Sequence, residues 1–208
     1  MDAAEYRLQV FINCPFDRAY RRLFYAIVFA VLDCGYTARS ALEVSDAGEL
    51  RLEKIFRIIS ECGLGIHDIS RTELETRSRL PRFNMPLELG MFLGAKEFGD
   101  ERQRSKICLV LDRAPHRYEQ FCSDIKGCDI NAHRRNPELA IHLVRDFLRA
   151  AKPHVITPGG KIIHQRYRKF LKRLPSLCKK LGLRAGDLIF SDYITFVSDW
   201  LMEEAERR

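Results

Sequence analysis

A glutamate near the start of a predicted helix has the clearest chemical potential in this chain. Asn84 and Pro86 favour a helix start there, because asparagine is a common N-cap and proline suits a first turn. Glu88 then falls in the first turn, where the helix dipole is expected to keep it ionised. Gly90 and Gly94 should let this helix approach a sheet closely. Apolar side chains recur beside them at helical spacing: Leu87, Met91, Phe92, Ala95 and Phe98. An ionised carboxylate on a helix pressed close to a sheet invites a chemical explanation, whereas the alternative is a glutamate that only decorates a helix start.

The elements around this helix alternate between strand and helix five times in residues 1–150. Strands are predicted at 8–12, 36–41, 64–70, 106–111 and 129–132, and helices at 20–31, 52–62, 85–98 and 139–148. The first of these helices has a strong amphipathic pattern. Such alternation favours a parallel sheet covered by helices on both faces.

Polar side chains gather where the predicted strands end, and the binding crevice of a parallel sheet lies at that edge. The first strand end supplies Asn13, Cys14, Phe16 and Asp17, the second Arg39, the third His67, Asp68, Ser70 and Arg71, and the helix adds Asn84 and Glu88. Carboxylates, amides and arginines around one cleft suit a sugar and a phosphate.

Each of these residues also has a purely structural interpretation. Asp17 and Asp68 are typical helix or turn caps, Arg39 suits a solvated strand end, and His67 is better explained by packing than by ligand binding. No glycine-rich loop follows the first strand, which argues against a dinucleotide-cofactor site. Cys14 lacks an evident histidine partnership that would make it a nucleophile.

Composition limits the class of protein. The chain has 208 residues, 46% of them hydrophobic, which is enough for one α/β domain with an addition. Its seven cysteines form no CxxC pair, so we expect reduced thiols and no metal site. No apolar run is long enough to span a bilayer and the N-terminus does not resemble a signal peptide, so a cytoplasmic protein is expected, without membrane contact.

The charge of +7 is concentrated beyond residue 150. Residues 1–150 carry a net charge of +1 and residues 151–208 a net charge of +6. We therefore divide the chain into an α/β domain (1–150) and a basic helical appendage (151–208), whose first helix should be interrupted at Pro175. An apolar stripe runs along that helix: Tyr167, Phe170, Leu171, Leu174, Leu177, Cys178 and Leu181. We expect this stripe to pack on the α/β domain and to contribute to a homo-oligomer, with nucleic acid at most a secondary ligand.

Three segments resemble landmarks of the TIR-like and nucleoside 2-deoxyribosyltransferase-like group. They are residues 10–17, 65–71 and 84–90, within a match over roughly residues 8–150. The resemblance implies a flavodoxin-like sheet of order 2-1-3-4-5. It also implies that Glu88 is the catalytic carboxylate acting at the anomeric carbon of a ribose, and that Asp68 takes the position of a second catalytic acid. Asn84 and Met85 replace the small residues or cysteine that precede the glutamate in many members.

The function that follows from the resemblance is an N-glycosidase that cleaves the ribosyl–base bond of NAD or a related nucleotide, within prokaryotic antiphage defence or nucleotide signalling. NAD or a nucleotide would be substrate or ligand, and no resident cofactor is expected. Arg39 and Arg71 would bind the pyrophosphate, and Phe16 would stack on a base. The alternatives are a nucleotide-sensing module without catalysis and a nucleic-acid-associated protein acting through its basic segment.

Overall fold

The chain folds around a five-stranded parallel sheet, seen in a computed structural model that describes residues 2–43, 46–72, 82–152 and 156–207. The strands are β1 (Gln9–Asn13), β2 (Thr37–Arg39), β3 (Leu64–Asp68), β4 (Ile107–Asp112) and β5 (Ile130–Ala132). Their order is β2-β1-β3-β4-β5, and each neighbouring pair is parallel. The predicted flavodoxin-like α/β fold is confirmed.

Helices cover both faces of this sheet. They are α1 (Ala3–Tyr6), α2 (Arg21–Asp33), α3 (Arg51–Glu61), α4 (Asn84–Phe98), α5 (Glu101–Arg104), α6 (Pro137–Ala151), α7 (Gly160–Lys180) and α8 (Phe190–Glu206). α3 and α4 pack on one face, while α2 and α6 pack against the other. No helix in the described part of the chain is long and apolar enough to cross a membrane.

α2 is buried on nearly all sides. Residues 26–31 within it have no exposed surface, although a helix that covers one sheet face normally keeps a polar outer side. The reason is that α7 and α8 form a further layer outside α2, in the same hydrophobic cluster as the β1 side chains. The predicted amphipathic helix is therefore a central helix of the core.

The residues beyond 151 belong to that core. Phe170 of α7 is fully buried, and its ring centroid lies 5.7 Å from that of Phe29 and 5.8 Å from that of Trp200. The predicted packing of this segment on the α/β domain is confirmed. Two details of the prediction were wrong: α7 continues through Pro175, and Leu181 is 68% exposed.

α4 presents a different face to the sheet from the one predicted. Leu87 and Phe98 are 57% and 85% exposed, whereas the buried side chains include Leu89 and Glu88. The helix begins at Asn84, which is its first residue and not its N-cap. In this orientation of the helix Glu88 is among the buried residues.

The close approach of α4 to the sheet comes from a glycine in β3. A Cβ atom at Gly65 would lie 2.9 Å from Cζ of Phe92 in α4, closer than real Cβ contacts allow. Gly90 and Gly94 were predicted to provide this approach, but no atom lies within 4 Å of a Cβ built at either position. The small residue that the packing requires is therefore on the strand.

Candidate functional site

Two neighbouring clefts open at the carboxyl edge of the sheet. The larger, about 390 Å³, lies at the ends of β1, β3, β4 and β5, and we call it the arginine cleft after the arginines in its wall: Arg22, Arg71, Arg113 and Arg135. The smaller, about 230 Å³, lies beside the start of α4 and is called the α4 cleft. Arg71 lines both, so the two clefts adjoin.

Asp68 at the end of β3 is the centre of a buried polar cluster. It has no exposed surface, and its Oδ2 accepts a short hydrogen bond from the Tyr20 hydroxyl. Its Oδ1 accepts from the backbone N–H of Ser70 at 2.8 Å. Burial first, and then the negative charge of Asp68, raise the pKa of the Tyr20 hydroxyl well above its usual value, so this hydroxyl keeps its proton and donates.

His133 completes the cluster from the loop that follows β5. Its Nδ1 accepts from the backbone N–H of Arg135 at 2.9 Å, which leaves the proton of the neutral ring on Nε2. Nε2 lies 2.9 Å from Asp68 Oδ2, although its N–H direction does not meet the geometry of a hydrogen bond. Tyr20 and His133 both line the arginine cleft, so Asp68 lies beneath the floor of that cleft.

A second buried carboxylate supports the cleft from β4. Asp112 Oδ1 accepts from Nε and Nη2 of Arg117 at 2.9 and 2.7 Å. Arg117 also donates to the Ile69 carbonyl and to Thr72 Oγ1, which ties the end of β3 to the end of β4. Burial raises the pKa of Asp112 in spite of these contacts. This pair fixes the loops that carry Arg71 and Arg113.

The α4 cleft is lined by several of the predicted substrate-binding residues. Phe16, Asp17, Arg71 and Asn84 all contribute to its wall. Asp17 has two roles, because Oδ1 accepts from the backbone N–H groups of Ala19 and Tyr20 while Oδ2 lies 3.2 Å from Arg71 Nε. It therefore caps the turn before α2 and is a member of the cleft, whereas the N-cap of α2 itself is Tyr20, so the predicted helix cap was wrong in this detail.

Glu88 lies one helical turn beyond Asn84 and next to Met85 on the same face of α4, behind the wall of the α4 cleft. It is 5% exposed, and no hydrogen bond or ion pair from a described residue reaches its carboxylate. Burial raises its pKa to about 7, and the positive charge of Arg51 opposes this rise. The expectation that Glu88 lies in the first turn and is kept ionised by the helix dipole is therefore wrong, because Glu88 lies beyond the first turn of α4 and desolvation outweighs the favourable charge of Arg51.

Asn13 and Cys14 are both buried at the carboxyl end of β1. Asn13 Nδ2 donates to the Met85 carbonyl at 2.9 Å and lies 3.1 Å from His67 Nδ1, so it joins β1, β3 and α4. Burial, followed by the charge of Lys106, lowers the pKa of His67 to about 3, in keeping with a packed, neutral ring.

Cys14 has no exposed surface. Burial and then the charges of Asp68 and Glu88 raise the pKa of its thiol well above the usual value. The thiol is therefore held protonated, which argues against a nucleophile. The charges of Asp68 and Glu88 both act on Cys14, so this thiol is within electrostatic reach of the two predicted catalytic carboxylates.

Arg39 does not join the other predicted site residues. Its guanidinium donates to Glu43 at 2.6 and 2.8 Å and to Glu61 at 2.8 Å, on the α3 side of the sheet. It lines neither cleft among the described residues. The geometry therefore gives Arg39 a structural role at the edge strand, and Ser70 and Arg71 are the predicted residues that do line the arginine cleft.

The sequence interpretation missed several residues of the arginine cleft: Tyr20, Arg22, Arg113, His133 and Arg135. Tyr20 was assigned only to the apolar stripe of a helix. The run from His133 to Pro137 did carry a signal, since Asn136 and Pro137 form a strong helix start directly after a strand end. That start places His133 and Arg135 at the functional edge of the sheet.

The described residues contain no group of three or more histidine, cysteine, aspartate or glutamate side chains that could hold a metal ion. Comparison of the chain with protein-family models, with curated proteins and with solved structures finds no match. The two clefts and the side chains around them are therefore the features of the described chain that indicate a function.

Proposed function

We propose that this protein is an N-glycosidase that cleaves the ribosyl–base bond of NAD or a related nucleotide, with Glu88 as the group that acts on the anomeric carbon. The observation that carries the proposal is the state of Glu88: a nearly buried carboxylate behind the wall of the α4 cleft, which lines neither cleft itself and has no hydrogen-bond or ion-pair partner among the described residues. Such a group costs stability, and chemistry is the usual reason for keeping one.

The chemistry fits a bond whose cleavage develops positive charge. The anomeric carbon acquires oxocarbenium character as the base departs, and a carboxylate held beside it stabilises that charge or captures the carbon covalently. A substrate that carries a cationic nicotinamide would also favour the ionised form of Glu88 and lower its pKa from about 7. Because nicotinamide leaves as a neutral base, little help from a general acid is required.

Asp68 has a supporting role in this proposal. It is fully buried beneath the arginine cleft and accepts from Tyr20 and Ser70, so it orients these groups and does not itself touch the sugar. Phe16 in the α4 cleft offers a ring for a base, and Asp17 and Asn84 offer partners for ribose hydroxyl groups.

The test is a substrate panel with products resolved by mass spectrometry. Wild type, Glu88→Gln and the exposed control Glu97→Gln from the same helix are incubated with NAD, NADP and a set of nucleosides. The proposal expects a free base from wild type and Glu97→Gln, and a large loss of turnover in Glu88→Gln. Equal turnover in all three proteins would contradict the role of Glu88.

A nucleotide-sensing module without catalysis is the second candidate. The burial of both predicted catalytic carboxylates favours it, because Asp68 lies beneath the arginine cleft and Glu88 behind the wall of the α4 cleft, and neither lines a cleft. Tight binding of a nucleotide that stays intact during long incubation with wild type would select this alternative over the glycosidase.

A further inference from the structure

The arginine cleft collects positive charge from four separate parts of the chain. Arg22 comes from the first turn of α2, Arg71 follows β3, Arg113 follows β4 and Arg135 follows β5. None of these residues is close to the others in sequence, so their convergence is a property of the fold. The sequence interpretation assigned only Arg71 among them to the site.

Three arginines of the cleft wall, Arg71, Arg113 and Arg135, lie close enough for their charges to interact. Burial lowers the pKa of Arg113, and the charges of Arg117, Arg135 and Arg71 lower it further, which places four guanidinium groups within electrostatic reach. Asp112 engages Arg117, and Asp17 Oδ2 lies 3.2 Å from Nε of Arg71. Guanidinium groups that line one cleft can share the oxygens of a single bound anion, since each has five N–H donors.

The backbone around the cleft favours the same kind of ligand. The cleft lies at the first turns of α2 and α6, where helix dipoles present their positive ends. Arg134 and Arg135 adopt the left-handed region, with φ of 52° and 56°, which costs energy for residues other than glycine. This loop conformation brings the Arg135 N–H to His133 and the Arg135 side chain to the cleft wall.

We propose that the arginine cleft is the subsite that holds the phosphates of a nucleotide, through Arg22, Arg71, Arg113 and Arg135. Guanidinium groups bind phosphate oxygens with paired, charge-assisted hydrogen bonds. The cleft volume of about 390 Å³ suits a diphosphate and part of its sugar. The cleft is also concave, whereas a nucleic acid requires an extended surface.

This inference deepens the proposed function and rests on it for the position of the sugar. Arg71 lines both clefts and lies 3.2 Å from Asp17 of the α4 cleft, so a nucleotide can place its phosphates in one cleft and its ribosyl–base bond in the other. The substrate class is then a nucleotide and not a free nucleoside.

The test compares binding of ADP, adenosine and inorganic pyrophosphate by titration calorimetry. The variants are Arg22→Gln and Arg135→Gln, both exposed residues whose replacement should not impair folding, with the exposed Arg18→Gln from the β1–α2 loop as the matched control. Thermal unfolding of each variant checks that it is folded. We expect wild type to prefer ADP over adenosine, with pyrophosphate competing, and each cleft variant to lose about tenfold or more in ADP affinity while adenosine binding stays unchanged.

Equal affinity for ADP and adenosine, or an equal loss in Arg18→Gln, would overturn the assignment. Binding of oligonucleotides that grows with their length, without binding of ADP, would overturn it in favour of a nucleic-acid surface. The proposed function fails separately: arginine-dependent ADP binding with every glycosidic bond intact supports the phosphate subsite and removes the glycosidase. Conversely, Glu88-dependent cleavage of nucleosides as fast as nucleotides keeps the glycosidase and removes the phosphate subsite.

Discussion

The Glu88 carboxyl should lower the stability of the folded chain as pH rises. Its pKa is about 7 in the folded protein, compared with a usual value of 4.5, so between these values the folded state binds a proton that the unfolded state releases. This stabilising contribution is present at low pH and is lost as pH rises through 7. The loss amounts to about 3 kcal/mol at pH 8, of which about 2.5 kcal/mol develops between pH 5 and pH 8.

Glu88→Gln tests this reasoning because the amide stays neutral at every pH. Relative to wild type, this variant should gain about 2.5 kcal/mol in its free energy of unfolding between pH 5 and pH 8. The assay is urea denaturation at a series of pH values, with Glu97→Gln as the exposed control on α4, which should run parallel to wild type. A Glu88→Gln curve that also runs parallel to wild type would show that Glu88 is not desolvated in the folded protein.

Three further substitutions test other parts of the structure. Asp68→Asn should reduce turnover and also the free energy of unfolding by about 2 kcal/mol, because an amide nitrogen would replace an acceptor of the Tyr20 or Ser70 hydrogen bonds; an unchanged melting temperature would contradict this. Phe170→Ala should cost about 3–5 kcal/mol in one cooperative transition, whereas a separate early transition in calorimetry would show that the helices after residue 151 unfold by themselves. Arg39→Gln should leave the calorimetric affinity for a nucleotide unchanged while Arg71→Gln weakens it, and the opposite result would return Arg39 to the site.

The sheet could be predicted because its strands and helices carry regular patterns. Short apolar runs ended by polar turns located all five strands, including the weak β5 (Ile130–Ala132). The predicted packing of residues 151–208 followed from an apolar stripe that had to be buried. Their contribution to a homo-oligomer stays a prediction.

The orientation of α4 could not be predicted from hydropathy. Apolar residues occur all round this helix, so Leu87 and Phe98 looked as suitable for burial as Leu89 and Phe92. The buried face of α4 is set by the packing of Phe92 against Gly65 of β3. A local sequence pattern does not show this contact between two separate elements. The same orientation buries Glu88, and burial raises its pKa, which reverses the expectation taken from the helix dipole alone.

The arginine cleft depends on which helices share a face of the sheet. α2 and α6 lie side by side, so the loops that enter them bring Tyr20 and His133 together around Asp68. Tyr20 and His133 are more than a hundred positions apart in the chain, and the alternation of elements does not assign a helix to a face. Local motifs therefore identified the β1, β3 and α4 residues of the site and missed those that came from the start of α2 and from the ends of β4 and β5.

The central claim is that Glu88 promotes cleavage of the bond between an anomeric carbon and a base, and hydrolysis of NAD in water enriched in ¹⁸O tests it most directly. Mass spectrometry of the products locates the bond that breaks, because solvent oxygen is added to the carbon that is attacked. We predict that wild type and Glu97→Gln release nicotinamide without label and ADP-ribose with one ¹⁸O atom at the anomeric carbon, and that Glu88→Gln releases neither at a comparable rate. Label at phosphorus, undiminished release by Glu88→Gln, or NAD that stays intact with wild type would contradict the claim.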